Sequence, residues 1–181
     1  ILDGVPPANS PAVRSLFEPG LQFQYSGGGT IVSQLIITDL TKQLYEQFML
    51  DSVLKPFGMN NSFYSAAAPP QNQLHKYAMG YTRDGAKVAA TFNTYPEQAP
   101  LGLWTTPEDL AKYMIEIQLA YQGKSSKVLN QQMAGLQLTP YIDQSATMGA
   151  SIVERKGEKY FFHDAGNEGY RGLFYGSVAG G

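Results

Sequence analysis

Two short stretches hold the side chains best suited to chemistry. Residues 21–35, LQFQYSGGGTIVSQL, set a phenol (Tyr25) and a hydroxyl (Ser26) against Gly27, Gly28 and Gly29, directly before a segment of helical periodicity. Glycine loses more backbone entropy on folding than any other residue and weakens helix and strand interiors, so the run needs a reason. Either free backbone N–H groups cradle an anion at a helix N-terminus, or the missing side chains let backbone pack closely. No Gly-Lys-Ser/Thr follows, which removes a P-loop. The second stretch, YFFHDAGNEGYRG over residues 160–172, places His163 at the end of an apolar run, before a bend containing two glycines. Such a histidine is either a satisfied strand-end residue or the basic group of a site with backbone donors close to a substrate.

Other candidates carry less. His75, in QNQLHKY, reads as solvated surface, and neither histidine has an HxH or HxxxH companion, so no metal site is expected. Ser52, Val53, Leu54 and Lys55 spell Ser-x-x-Lys, a spacing that 12 serines and 9 lysines in 181 residues produce by chance about as often as not. It lies at a helix end beside Pro56 and reads as ordinary helix surface. Cysteine is absent, which excludes disulfides, thiolate catalysis and cysteine metal sites.

These groups need a scaffold, and the chain is long enough to supply one. With 181 residues, 43% of them hydrophobic, one compact domain is expected. A net charge of -2 with scattered basic residues argues against nucleic acid or an anionic membrane surface as partner. No apolar run approaches the roughly 18 residues of a membrane span. Composition leaves the compartment open. The chain opens on Ile1 and stops at FYGSVAGG, which reads as a piece of a longer protein.

Residues 1–20, with four prolines and two glycines, read as an irregular surface segment. From Thr30, the spacing of Ile31, Val32, Leu35, Ile36 and Leu40 predicts a helix with that face buried. A second helix carries Leu44, Tyr45, Phe48, Met49 and Leu54, ends at Pro56 and Gly58, and packs on the first. Residues 60–73 read as loop. YAMGYT and KVAATF form a hairpin around Arg83, Asp84 and Gly85. In TTPEDLAKYMIEIQLAYQG, Thr106 caps a helix, Pro107 fits its first turn and Asp109 reaches back to the cap; Leu110, Met114, Ile117 and Tyr121 make the buried stripe, and Gly123 stops it. A third helical segment covers KVLNQQMAGLQLT. Residues 148–155, 158–164 and 170–176 then read as three successive antiparallel strands, with a turn at Lys156 and Gly157. Helices first and strands last is an α+β order, without repeats or dividing linkers, so residues 1–181 read as a single domain.

Together these stretches resemble the serine β-lactamase and penicillin-binding-protein-like superfamily, in particular the class C-like branch of related esterases and D-aminopeptidase-type hydrolases. EPGLQFQYSGGG resembles the approach to its Tyr-x-Asn motif, VLKPFGMNNSFY its helix-ending signature, and APLGLWTTPEDLAKY its tryptophan-containing helix entry. HDAGNEGYRG looks like its Lys/His-x-Gly strand motif. The resemblance implies an incomplete β-lactamase-like fold, a largely helical region followed by a three-stranded antiparallel segment.

It also implies roles. Tyr25 takes the motif tyrosine that moves a proton between a nucleophilic serine and the leaving group; the glycines bring the helix backbone up to the site wall; His163 takes the basic strand position; and the Gly166 N–H supplies one oxyanion-hole donor. Two departures stand out: Gly27 replaces the motif's asparagine, and Ala165 replaces its strand glycine and crowds the wall slightly. A third is the family's upstream Ser-x-x-Lys, which this sequence lacks before Tyr25. The resemblance therefore implies a fragment of a serine hydrolase acting on amide or ester bonds of a small-molecule or peptide substrate. It would need no metal or organic cofactor, would be inactive alone, and would be completed by the missing N- and C-terminal portions of the same domain. A periplasmic or extracellular place is favoured; oligomeric state is open. The alternative is a non-catalytic homologue used for peptide binding or self-association, to which Gly27 and Ala165 point. A plain helical binding domain with an accidental likeness is the third reading, and it requires that no strand lie beside Tyr25.

Overall fold

The glycine run begins a helix. In the computed structural model, which describes residues 1–67, 71–88 and 92–180, Ser26 is extended (φ -145°, ψ 106°) and its hydroxyl accepts from the Gly29 N–H at 2.9 Å. Ser26 is thus the N-cap of α1 (Gly27–Thr41), which starts three residues before the expected Thr30. The packing of α1 reverses the expectation. Val32, Leu35, Ile36 and Leu40 are exposed, and the half-buried side carries Ile31, Gln34, Ile37 and Thr38. Gln34 explains the rotation: its amide donates to the Pro96 carbonyl (3.3 Å) and accepts from the Ala99 N–H (2.9 Å), the latter in α4 (Gln98–Leu101). Polar bonds hold one side of α1 to the body and leave the apolar stripe outside.

The second helical stretch is continuous through α2 (Tyr45–Met49), a π-helical turn (Leu50–Leu54) and α3 (Lys55–Phe57), and it touches α1 as expected. Pro56 does not end it. The Lys55 N–H reaches back five residues to the Leu50 carbonyl, and this wider turn accommodates a proline that has no N–H and crowds the preceding turn. Termination falls to Gly58, left-handed at φ 74°, with the Met59 N–H returning to the Leu54 carbonyl at 2.9 Å.

The stretch 60–73 holds more than loop. In it β1 (Phe63–Tyr64) pairs antiparallel with β2 (Leu103–Trp104), and a 3-10 helix (Gln71–Lys76) begins; residues 68–70 lie outside those described. His75 is exposed on that 3-10 helix, as expected. The Arg83-Asp84-Gly85 turn forms, with Gly85 at φ 85° and Tyr81 bridged to Lys87, while the end of the expected KVAATF strand runs into residues 89–91, outside the described residues.

Helix α5 (Pro107–Tyr121) is capped by Thr106, whose hydroxyl accepts from the Asp109 N–H at 3.2 Å. Asp109 does not reach back to the cap. Its fully buried carboxylate accepts instead from the Asn61 N–H (2.7 Å), the Ser62 hydroxyl (2.8 Å) and the Lys112 ammonium (2.9 Å). Burial pushes this carboxyl up, but Lys112, Ser62 and Asn61 together outweigh it, and its pKa lies below the ordinary carboxylate value. The buried face holds Ile117 and Ala120, whereas Tyr121 stays exposed and does not complete the expected stripe. Helix α6 (Gln131–Gln137) is shorter than the expected 127–139, because the Asn130 side chain caps the Met133 N–H.

The C-terminal region is an antiparallel meander of β3 (Ser151–Arg155), β4 (Glu158–Asn167) and β5 (Tyr170–Ser177), so the fold is α+β with helices first. Lys156 (φ 53°) and Gly157 (φ 80°) make the tight first turn. β3 is shorter than 148–155, and β4 runs three residues past 164. Ala165, Gly166 and Asn167, read from sequence as a bend, pair with Gly172, Arg171 and Tyr170; the bend itself is Glu168 and Gly169. Side chains alternate, so Phe161 and His163 share the inner face. Phe161 is fully buried in a core with Leu54, Phe57, Met59, Ile117, Leu138, Ile152 and Val178. Helix α5 lies so close to β5 that a Cβ on Gly176 would stand 2.4 Å from the Met114 Cε.

Candidate active site

Tyr25 and His163 come from opposite ends of the sequence and meet. Their ring centroids lie 6.4 Å apart at a 39° tilt. Tyr25 is placed by the cap beside it, since Ser26 turns the chain into α1. The phenol is 68% exposed. His163 is placed by β4: two residues earlier Phe161 is locked in the core, and the imidazole stacks on its strand neighbour Phe174 at 6.2 Å and 26°. A phenol and an imidazole at this separation can pass a proton to and from a third group placed between them.

Backbone direction adds a donor. The Lys159 carbonyl accepts from the Val178 N–H beyond the end of β5, so odd-numbered residues of β4 turn their backbone groups towards β5 and even-numbered ones towards β3. β3 pairs only as far as Phe162. The Gly166 N–H therefore points to an edge of β4 that β3 leaves uncovered. Ala165, with its backbone bonded to β5, faces Gly172, on which an added Cβ would stand 4.0 Å from that of Ala165.

The glycines serve another purpose than the expected one. A Cβ on Gly27 would meet nothing within 4 Å, and one on Gly29 only Ser26 at 3.5 Å. Gly28 alone is tight: its Cβ would stand 2.8 Å from Val13 Cγ2. The close approach is thus to the lead-in segment, not to the wall bearing His163. Gly27 leaves open space where the motif's asparagine would sit. The Ser-x-x-Lys match is helix surface, with Ser52 exposed and Lys55 paired to Asp51 at 2.7 Å.

Sequence reasoning missed a recess of about 1020 Å³ beside Ala165, Gly166 and Asn167. Phe63, Tyr77, Trp104 and Tyr170 line it. Four separate segments contribute these rings, so no local spacing marks them; the one visible signal was the crowding of aromatics between residues 63 and 104.

Comparison with solved structures places the fold. The chain matches an octameric penicillin-binding protein homologue from Pyrococcus abyssi with a TM-score of 0.74 at 23% identity, covering 91% of this chain and 38% of that one. A class C beta-lactamase follows at 0.69 and 19%, covering 93% and 53%, and the D-amino acid amidase of Ochrobactrum anthropi at 0.62 and 16%, covering 84% and 48%. Among curated proteins, Protein flp of Staphylococcus aureus (strain MW2) is 30% identical over 131 residues, 67% of this chain. The chain spans about a quarter (24%) of the length of that relative. The beta-lactamase family model matches residues 8–180, almost the full sequence, and the chain belongs to the beta-lactamase family.

Proposed function

We propose that these residues form the helical region and one wall of the site of a serine hydrolase that cleaves amide or ester bonds through an acyl-serine intermediate. The observation that carries this reading is the approach of Tyr25 to His163, 6.4 Å between ring centroids. In the reaction a serine Oγ attacks the substrate carbonyl and gives its proton to the Tyr25 oxygen, which passes its own phenolic proton to His163. The oxygen of the tetrahedral intermediate takes a hydrogen bond from the Gly166 N–H. Collapse expels the leaving group, which takes the proton back through Tyr25, and water then releases the acid from the acyl-serine by the same route in reverse. No metal or organic cofactor enters.

The serine and its activating lysine come from outside these 181 residues, so the chain alone is inactive. The rest of the same domain would cover two apolar faces: the Val32, Leu35, Ile36 and Leu40 stripe of α1, and the outer face of the meander, where Tyr160 stacks on Tyr175 at 5.1 Å beside exposed Leu173. Substrate is a small molecule or peptide. None of the described helices is long and apolar enough to cross a membrane, and the family reading favours a periplasmic or extracellular place.

Gly27 and Ala165 support a second reading, a non-catalytic homologue that binds peptides or self-associates. A fluorophosphonate or labelled penicillin on the full-length parent separates the two. The hydrolase acquires covalent label, and Tyr25→Phe slows labelling by about 100-fold. A parent that takes no label from either probe would sink the hydrolase.

A further inference from the structure

The rings around Trp104 are arranged as a cluster that is not closed. Tyr77 (5.1 Å, 90°) and Phe92 (5.3 Å, 70°) stand edge-on to the indole, Tyr170 lies at 6.2 Å and 76°, and Phe63 runs nearly parallel at 6.5 Å and 12°. A structural aromatic core seals its hub. Here all five rings, Trp104 included, remain half-exposed, and four of them line the recess that runs up to Ala165, Gly166 and Asn167.

The roof of the recess is tied to the same strand hairpin that carries the site. A Cβ on Gly169 would stand 2.8 Å from the Gly80 Cα, and one on Gly80 2.9 Å from the Tyr170 ring, so only glycines let these backbones cross. The Tyr81 N–H donates to the Gly169 carbonyl (3.1 Å) and the Tyr170 hydroxyl to the Ala78 carbonyl (3.0 Å). The walls are therefore fixed relative to Gly166 before anything binds. Of the charged groups on the lining, Glu168 accepts from Asn93 at 2.6 Å, and Arg171 is turned onto the Asn167 and Tyr170 carbonyls at 2.9 and 2.7 Å. Lys76 is the remaining charge, on the 3-10 helix at the rim. Between these groups the lining is uncharged: aromatic rings, aliphatic side chains such as Leu101 and Met114, hydroxyls such as that of Thr105, and neutral amides including Asn61, Asn93 and Asn167.

We propose that this recess is a specificity pocket for a neutral aromatic substituent of the substrate, received against Trp104 and Tyr77. An incoming ring finds edges and faces at the tilted, centroid-to-centroid spacings that aromatic pairs favour, whereas an ionised group would lose water and meet mainly uncharged surface. The inference rests on the hydrolase reading above, which makes the adjoining edge of β4 the place where a substrate is held.

Trp104 is the single tryptophan of the chain, so its emission reports the pocket directly. Phenylacetamide titrated into the 181-residue protein shifts that emission saturably, and acetamide binds at least about tenfold more weakly. Phenylacetate, the charged analogue, binds more weakly than its amide. Tyr77→Leu reduces phenylacetamide affinity by about fivefold or more. Equal affinities for the two amides, an emission unmoved by phenylacetamide, or phenylacetate binding as tightly as the amide each overturn the proposal without recourse to a variant. The titration needs no turnover, so it fails independently of covalent labelling. A parent that labels, yet hydrolyses nitrophenyl acetate and nitrophenyl phenylacetate with equal kcat/KM, keeps its hydrolase assignment and loses the pocket.

Discussion

The segments that carry His163 and Tyr25, here called the two walls, are built to different standards. The His163 wall is a strand whose inner face is anchored by Phe161, closed over by α5 at Gly176 and bonded to neighbours on both sides through Phe162. The Tyr25 wall is the end of an irregular lead-in where Leu16, Leu21, Phe23 and Tyr25 are all exposed, and it runs into the start of α1 through the Ser26 cap. Catalytic geometry needs both walls fixed within a fraction of an ångström. One wall is organised by a buried anchor, and the other by the cap at Ser26, beside an α1 stripe that stays exposed.

Substitution of Phe161 gives the largest test of this asymmetry. Phe161→Ala empties a fully buried position and is expected to remove about 3–5 kcal/mol from urea unfolding. Leu16→Ala, on the 80% exposed lead-in, is expected to change stability by no more than about 0.5 kcal/mol. Similar losses from the two substitutions would erase the difference between the walls.

Asp109 gives the next largest effect. Asp109→Ala leaves the Ser62 hydroxyl and the Asn61 N–H without their acceptor, at a cost of about 3 kcal/mol. Because the folded pKa of this carboxyl is lowered, its contribution is complete above the unfolded value of about 3.9 and is lost as pH falls through the folded value. Urea midpoints measured from pH 6 down to pH 2 should fall with acid, and the fall should be smaller in Asp109→Ala. Parallel pH profiles would remove Asp109 from the joint between α5 and the loop before β1.

What could be read from sequence follows the same division. The caps and turns were legible because their causes are local: Thr106 and Pro107 at α5, Lys156 and Gly157 between β3 and β4, and Gly58 after α3 all act within a few residues. The pairing of Tyr25 with His163 came from family likeness, since no spacing rule links a loop at one end to a strand at the other. The direction of α1 was not legible, because a stripe of Val32, Leu35, Ile36 and Leu40 states that a face is apolar and not what covers it. Gln34, which settles the rotation, looked like one polar residue among several until its partners at Pro96 and Ala99 were in place. The aromatic recess was hidden for the same reason, since its walls are assembled across sequence-distant segments.

The smallest predicted effect answers why the glycine run exists. If the run served the Tyr25 wall as a whole, alanine at any of its positions would be harmful. The geometry instead separates them. Gly27→Ala places a methyl in open space on the first turn of α1 and removes unfolded-chain entropy, for a gain of about 0.5 kcal/mol. Gly28→Ala drives its methyl to 2.8 Å from the Val13 side chain, whose β-branched rotamer has little room to yield, so the helix gain is outweighed and the lead-in loosens by about 1 kcal/mol. Limited proteolysis of residues 1–26 should therefore slow slightly in Gly27→Ala and quicken several-fold in Gly28→Ala. Val13→Ala in the second background should restore the slower rate, because it removes the atoms that the new methyl meets. Equal proteolysis of the two glycine variants would mean that the contact between Val13 and α1 does not hold the lead-in, and that the Tyr25 wall is ordered by Ser26 alone.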